Sequence, residues 1–310
     1  MGLIKYFTNW VNLPRNTRAS LSGISYSLEK LPNSEDCESI LYRHYLQDKA
    51  LHCTEFGISN EKYTNHEIII SLTTYGERLH SVHLAIESIM QGSIKPNRIV
   101  LWLAEDEFHE KKIPKTLLLQ QSRGLEIKYC KDLKSYEKLI PSLQEFPNDT
   151  IITIDDDVMY EYDLIERLVN AHITHPRAVC ACRMHRIKLD KNGLPLSYLD
   201  WEQCINDEEP SALNFPTGVG GILYPPNCFN EEVFNSDVFM DICPKADDIW
   251  FYCMAKINST QAFWVKTPRP SCYFFDIPIT EPTLSTYNID PIIRGNDVQF
   301  KEVYKKYNLF

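Results

Sequence analysis

The run Ile68-Ile69-Ile70-Ser71-Leu72-Thr73-Thr74 constrains this chain more than any other stretch. A strand with one face in water alternates apolar and polar residues, whereas this run is apolar or β-branched at odd and even positions alike, so both of its faces must be covered. A strand covered on both sides belongs in a sheet held between helices, and the sequence supplies them. Leu79, Val82, Ala85, Ile86, Ile89 and Met90 recur with helical period until Gly92 and Pro96 stop the pattern. Further strands are predicted over Arg98 to Leu103, Leu125 to Cys130 and Thr150 to Ile154, with helices from Lys115 to Gln121 and around Leu139, Leu143 and Phe146. Strands alternating with helices predict an α/β fold with a Rossmann-like, mostly parallel central sheet flanked by helices.

In such sheets ligands bind beyond the carboxyl ends of the strands. The fourth predicted strand, Thr150-Ile151-Ile152-Thr153-Ile154, runs directly into Asp155-Asp156-Asp157. Three successive carboxylates repel one another and are costly to desolvate unless something cationic joins them. A hard divalent cation, Mn2+ or Mg2+, meets that need, because carboxylate oxygens suit it and it can bridge a pyrophosphate. A solvated turn capping the next helix is the plainer reading, but a cap needs one aspartate. The segment Asn214 to Pro226 holds a second constellation, with Gly218, Gly220 and Gly221 where backbone must approach something closely. Beyond it, Ala246-Asp247-Asp248-Ile249-Trp250-Phe251 places a second acidic pair at the start of an apolar helix that continues through Met254 and Ala255.

Composition narrows the classes. Hydrophobic residues make up 44% of the 310, enough for a sizeable core, and the formal charge of −10 sets the overall field against polyphosphate backbones, which excludes a general nucleic-acid binder. The ten cysteines are scattered, several in apolar stretches, and read as reduced, mostly buried thiols; Cys180-x-Cys182 has no second close pair to complete a zinc site. Neither a span of ~20 apolar residues nor a signal-peptide pattern is present, so a cytoplasmic location is expected. Residues 1–65 read as a partly helical N-terminal extension, with a helix from Glu35 to Leu51, and residues 66–310 as the main domain. Leu3, Ile4, Phe7, Trp10 and Val11 recur at helical spacing beside Lys5, Arg15 and Arg18. Residues 1–18 are therefore expected either to lie on a membrane surface, at its inner face, or to pack on the protein's own body.

Ser71-Leu72-Thr73-Thr74-Tyr75, Ile151 to Asp157, Thr217-Gly218-Val219-Gly220-Gly221 and Ala246 to Phe251 follow one another in the order found in GT-A glycosyltransferases. The chain resembles those of bacterial surface-polysaccharide gene clusters, and its last two motifs are also similar to the exostosin transferase domain. The resemblance covers roughly Glu67 to Phe310. It implies a donor half over about 66–160 and an acceptor half over about 161–310. It further implies transfer of a sugar from a nucleotide sugar, of uridine type, to a glycan or lipid-linked glycan acceptor. Carried over by position, Asp157 as the last member of the Asp-x-Asp signature holds the metal with Asp155, while Asp155 and Asp156 also reach the donor. Thr73, Tyr75, Arg78 and Lys138 fall in the donor pocket. Asp248, with Asp247, falls where a general base stands in inverting enzymes, or where a retaining enzyme steadies the transition state. Gly220, Gly221 and Trp250 fall on the acceptor side, where Trp250, like Tyr224, could stack on a sugar ring or pack in the core. His185, beside Arg183 and Arg186, could serve the metal or the pyrophosphate.

Three alternatives stand beside this reading. A phosphotransferase of the haloacid-dehalogenase type also ends a strand in Asp-x-Asp, but has Thr two residues after the second aspartate, where this chain has Met159. A nucleotidyltransferase would need a Gly-rich loop after its first strand, where Thr73-Thr74-Tyr75-Gly76-Glu77-Arg78 has one glycine. A catalytically silent glycan- or nucleotide-binding assembly protein would have no need of the second acidic pair.

Overall fold

The computed structural model describes residues 34–269, 275–278 and 283–310. Residues 1–18, with their expected membrane contact, lie outside the described residues. The first described helix, α1 (Ser34–His52), precedes β1 (Ile68–Thr73), α2 (His83–Met90), β2 (Arg98–Ala104), α3 (Lys115–Gln121) and β3 (Leu125–Cys130). Then come α4 (Ile140–Glu145), β4 (Thr150–Thr153), β5 (Val158–Met159) and α5 (Leu164–Thr174). The second half holds β6 (Val179–Ala181), β7 (Met184–Arg186), β8 (Asn214–Pro216), β9 (Ile222–Tyr224), α6 (Ser236–Ile242), α7 (Asp247–Ile257) and β10 (Ala262–Trp264). It closes with β11 (Phe275–Asp276) and α8 (Gly295–Tyr307).

Seven strands form the central sheet in the order β10-β6-β9-β4-β1-β2-β3. β1 pairs in parallel with β2 and with β4, β2 with β3, and β6 with β10, whereas β9 runs antiparallel between β4 and β6. The predicted α/β, mostly parallel sheet with flanking helices is therefore what the chain forms. The two-sided burial of β1 has the cause inferred from its sequence. Ile68, Ile70 and Leu72 join Leu79, Ile86 and Ile89 on one face of the sheet, while Ile69 faces a second core containing Trp102, Phe215, Trp250 and Phe251. The chain order reverses between β1 and β4. Ligand crevices open at such a point, beyond the carboxyl ends of the strands; Thr73 ends β1 there, and Asp155 follows the end of the adjacent β4.

Within the segment read as an extension, α1 packs on the main body. Tyr42, Leu46 and Ala50 are buried, and Tyr42 and Leu46 contact a cluster containing Leu84, Ala85, Met159, Phe275 and Ile277. Under α1, Glu87 of α2 and Arg123 form a fully buried bidentate ion pair at 2.9 Å, and the Nε2 of Gln120 also donates to Glu87. No helix among the described residues is long and apolar enough to cross a membrane. The described cysteines are free thiols, and most are buried.

Candidate active site

The chain leaves β1 through Thr73, Thr74 and Tyr75 into a short 3-10 turn, Gly76–His80, which buries Arg78. The Arg78 guanidinium meets two carboxylates from the end of β4: its Nη1 lies 2.9 Å from Asp156 Oδ1 and 3.2 Å from Asp157 Oδ2. Thr74 Oγ1 donates to Asp156 Oδ2 at 2.6 Å. Asp156 is thus consumed by protein partners and serves as the anchor of the turn. Tyr75 is exposed and covers the guanidinium with its ring, 4.6 Å from centroid to Cζ. Thr73 turns away from the acidic run, donating to Glu137 Oε2 at 2.8 Å and to the Trp102 carbonyl at 3.0 Å.

The second half of the sheet brings the other acidic pair to the same place. β8 and β9 are joined by Thr217 to Gly221, and the Gly218 amide donates to Asp248 Oδ2 at 2.9 Å. Lys138, from a 3-10 turn whose backbone is tied to β1 by Ser71 Oγ, reaches between the halves. Its Nζ lies 3.2 Å from Asp155 Oδ1 and 3.0 Å from Asp247 Oδ2. One ammonium therefore joins the acidic run after β4 to the acidic pair at the start of α7. Gly218 is required by crowding. A Cβ built there would stand 2.7 Å from Lys138 Nζ and 3.0 Å from Asp248 Oδ1.

Electrostatics separate the carboxylates by role. Burial, then the charges of Asp155 and Asp156, push Asp157 up to about 7 against the pull of Arg78. Burial and Asp247 likewise raise Asp248 to about 7, opposed by Lys138 and the Gly218 amide. Burial works against the Lys138 ammonium, but Asp155, Asp247 and Asp248 outweigh it and hold it well above the ordinary lysine value. Asp248 Oδ1 has no hydrogen-bond partner among the described residues. Its carboxylate is thus a half-used acceptor, poised to exchange a proton near neutral pH.

Asp155 and Asp157 fit a divalent cation: both are half-buried, both offer oxygen, and Asp157 stands in an excess of negative charge. Among the described residues no three His, Cys, Asp or Glu side chains converge to hold a metal alone. A hard cation held by one or two carboxylates would leave its remaining positions to water and substrate phosphate.

Several expectations change. Trp250 is fully buried, its Nε1 donating to the Val233 carbonyl at 3.1 Å, so it has no face for a sugar. Tyr224 is likewise buried, against Phe229 and Phe251. Gly220 and Gly221 adopt left-handed φ of 100° and 92° and make the turn into β9. A Cβ at Gly221 would touch Leu164, on the α5 side of the sheet, whereas one at Gly218 would abut Lys138 and Asp248. His185 is buried, and its Nδ1 accepts from the Cys204 amide at 3.0 Å while its Nε2 has no hydrogen-bond partner among the described residues. Two residues without individual sequence signals complete the site. Tyr160 Oη accepts the Asp155 amide at 2.7 Å, and its own carbonyl accepts from Tyr42 Oη of α1 at 2.7 Å. Glu137, buried behind Thr73, is pushed up to about 7 by burial.

No family model matches the chain, and no curated protein matches it. Among solved structures, a mannosyltransferase from Pyrobaculum calidifontis, in complex with GDP-Man and Mn2+, is similar over 92% of this chain and 76% of its own, with 12% identity and a TM-score of 0.48. At that distance the likeness is descriptive, and function has to be read from the side chains themselves.

Proposed function

We propose that this chain is a glycosyltransferase that moves a sugar from a nucleotide sugar, of uridine type, to a glycan or lipid-linked glycan acceptor in surface-polysaccharide synthesis. The observation that carries this reading is Lys138, whose ammonium joins Asp155 to Asp247 and so makes one site of two acidic motifs distant in sequence. A pure nucleotide-binding site would use the Asp155–Asp157 run alone. The Asp247–Asp248 pair, with a half-used carboxylate near neutrality, supports a proton-transfer step beside the bound diphosphate.

In this reading the donor lies over the carboxyl ends of β1 and β4. Tyr75 offers an exposed ring to the nucleoside, while Arg78 fixes Asp156 and Asp157 and so sets the shape of the turn. Asp157 and Asp155 would hold Mn2+ or Mg2+, which when bound supplies charge neutralisation to the diphosphate. Asp248 accepts the proton of the acceptor hydroxyl as its oxygen forms the new bond to the anomeric carbon. The bond from that carbon to the diphosphate oxygen breaks, and its electron pair leaves with the nucleoside diphosphate. Lys138 holds Asp155 and Asp247 in place throughout. The reaction is placed in the cytoplasm, at the inner face of the membrane if residues 1–18 bind its surface.

A thermal-shift panel of uridine and guanosine nucleotide sugars, each with Mn2+, with Mg2+ and with chelator, tests the reading. At ligand concentrations about 100-fold above the dissociation constant, stabilisation of roughly 2.7 kcal/mol is expected. It should appear with uridine donors and vanish with chelator. A flat response to every nucleotide sugar in the presence of Mn2+ would overturn it.

A further inference from the structure

We propose that Arg183 anchors an oxyanion, a phosphate ester or a carboxylate, carried by the acceptor close to the hydroxyl that is glycosylated; the assignment of this anion to the acceptor rests on the transferase reading above. Arg78, Arg98, Arg123, Arg167, Arg186 and Arg269 each lie against a carboxylate. Arg183 has none among the described residues. It is half-buried, its Nη1 donates to Thr217 Oγ1 at 3.1 Å, and its Nε is shielded from water without any acceptor. An Nε–H withdrawn from water with no acceptor costs free energy, which an anion at the guanidinium would offset. In a chain of net charge −10, a neighbouring carboxylate would be easy to supply. Its planar fork suits phosphate and carboxylate alike.

Position fixes which substrate the fork would meet. The Thr217 amide donates to the Arg183 carbonyl at 3.2 Å, and the next residue, Gly218, donates to Asp248 Oδ2 at 2.9 Å. Successive residues of one turn thus hold the guanidinium and the proposed base. The Tyr198 hydroxyl lies within the electrostatic reach of both Arg183 and Asp248. The other cations of the site are occupied: Lys138 by Asp155 and Asp247, and Arg78 by Asp156 and Asp157. His185 next to it stays neutral, since burial and Arg183 push its pKa down to about 3. Arg183 is therefore the charge left over beside the turn that holds Asp248.

Ligand-observed NMR with glucose 1-phosphate, glucuronate and glucose, each titrated into the full chain saturated with UDP and Mn2+, tests this. Wild type should bind one of the two anionic sugars at least tenfold more tightly than glucose. Preference for the phosphate identifies a phosphate-bearing acceptor, and preference for glucuronate an acidic sugar. Arg183→Gln should erase that preference while UDP binding and the melting temperature stay as in wild type, and Arg183→Lys should keep part of it. Equal binding of all three sugars, or an anion preference untouched by Arg183→Gln, overturns the proposal. Should UDP with Mn2+ fail to bind, the transferase reading fails separately, and the same titrations on the free protein still decide whether Arg183 is an anion site.

Discussion

Asp248 carries the heaviest chemical assignment, and its surroundings give it a testable signature. Its carboxyl is raised to about 7 because burial and Asp247 outweigh Lys138 and the Gly218 amide. As a base it must be ionised, so turnover with saturating donor should rise with pH and level off above an apparent pKa near 7. Asp248→Asn removes the proton acceptor while leaving the hydrogen bond from Gly218 an oxygen to meet. The turnover number should fall by about 10²–10⁴-fold with donor affinity little changed, as measured by initial rates and by calorimetric donor binding. Gly218→Ala acts on the same atoms by crowding, since its new Cβ would stand 2.7 Å from Lys138 Nζ. It should cost activity more than stability, because a long lysine side chain can move aside only by leaving Asp155 or Asp247. Trp250→Ala should do the reverse: a loss of roughly 3–5 kcal/mol in denaturant unfolding for a large buried aromatic, with no selective loss of donor affinity.

The elements show which parts of this site a sequence can announce. The spans of α3 and β3 agree with the sequence reading because their patterns run for a full element, and β1 declares its two covered faces by the absence of alternation. Asp247 and Asp248 open α7 as read, since a carboxylate pair suits a helix N-terminus. Trp250 misleads because an α-helix turns about 100° per residue: two positions beyond Asp248 the side chain points to the opposite side, into the core. The antiparallel β9 is three residues long, too short for a period to show, and without it the pairing that sets the glycine turn beside Lys138 is invisible. Glycine count says that backbone approaches something here, yet that Gly218 abuts Lys138 and Asp248 while Gly221 faces Leu164 is settled by that turn. Tyr160 has no local signal at all. Its two contacts, to Asp155 and to Tyr42 of α1, join segments far apart in the chain. Tyr160→Phe should leave the fold intact but loosen the Asp155–Asp157 turn, weakening metal-dependent donor binding, which calorimetry with and without Mn2+ would reveal.

At the scale of the whole molecule, the same burial that tunes the site carries a stability cost. Glu137, Glu161 and Asp248 are all raised to about 7, so the folded chain binds protons there that the unfolded chain has already released. Stability from these groups is fully present below their unfolded pKa values and is lost as pH rises through about 7. Melting temperature should therefore decline from about pH 4.5 to about pH 7 and level off above that, and Asp248→Asn should flatten part of that decline. The Glu87–Arg123 pair, fully buried between α2 and the residues after α3, should be the opposite kind of feature. Glu87→Ala strands a guanidinium and should cost about 3–5 kcal/mol in denaturant unfolding without changing the pH profile of turnover. The site thus depends on a rigid frame that leaves a few charges uncompensated at one crevice, the one between β1, β4 and the start of α7.

The most direct test of that claim is a time course of nucleoside diphosphate release, followed by phosphorus NMR, from a uridine nucleotide sugar with Mn2+ and the intact chain. The account predicts release by wild type that is stopped by chelator or by Asp157→Ala, and slowed at least 100-fold by Asp248→Asn even though that variant still binds donor. Release unchanged by Asp248→Asn, or unchanged by chelator, would contradict it.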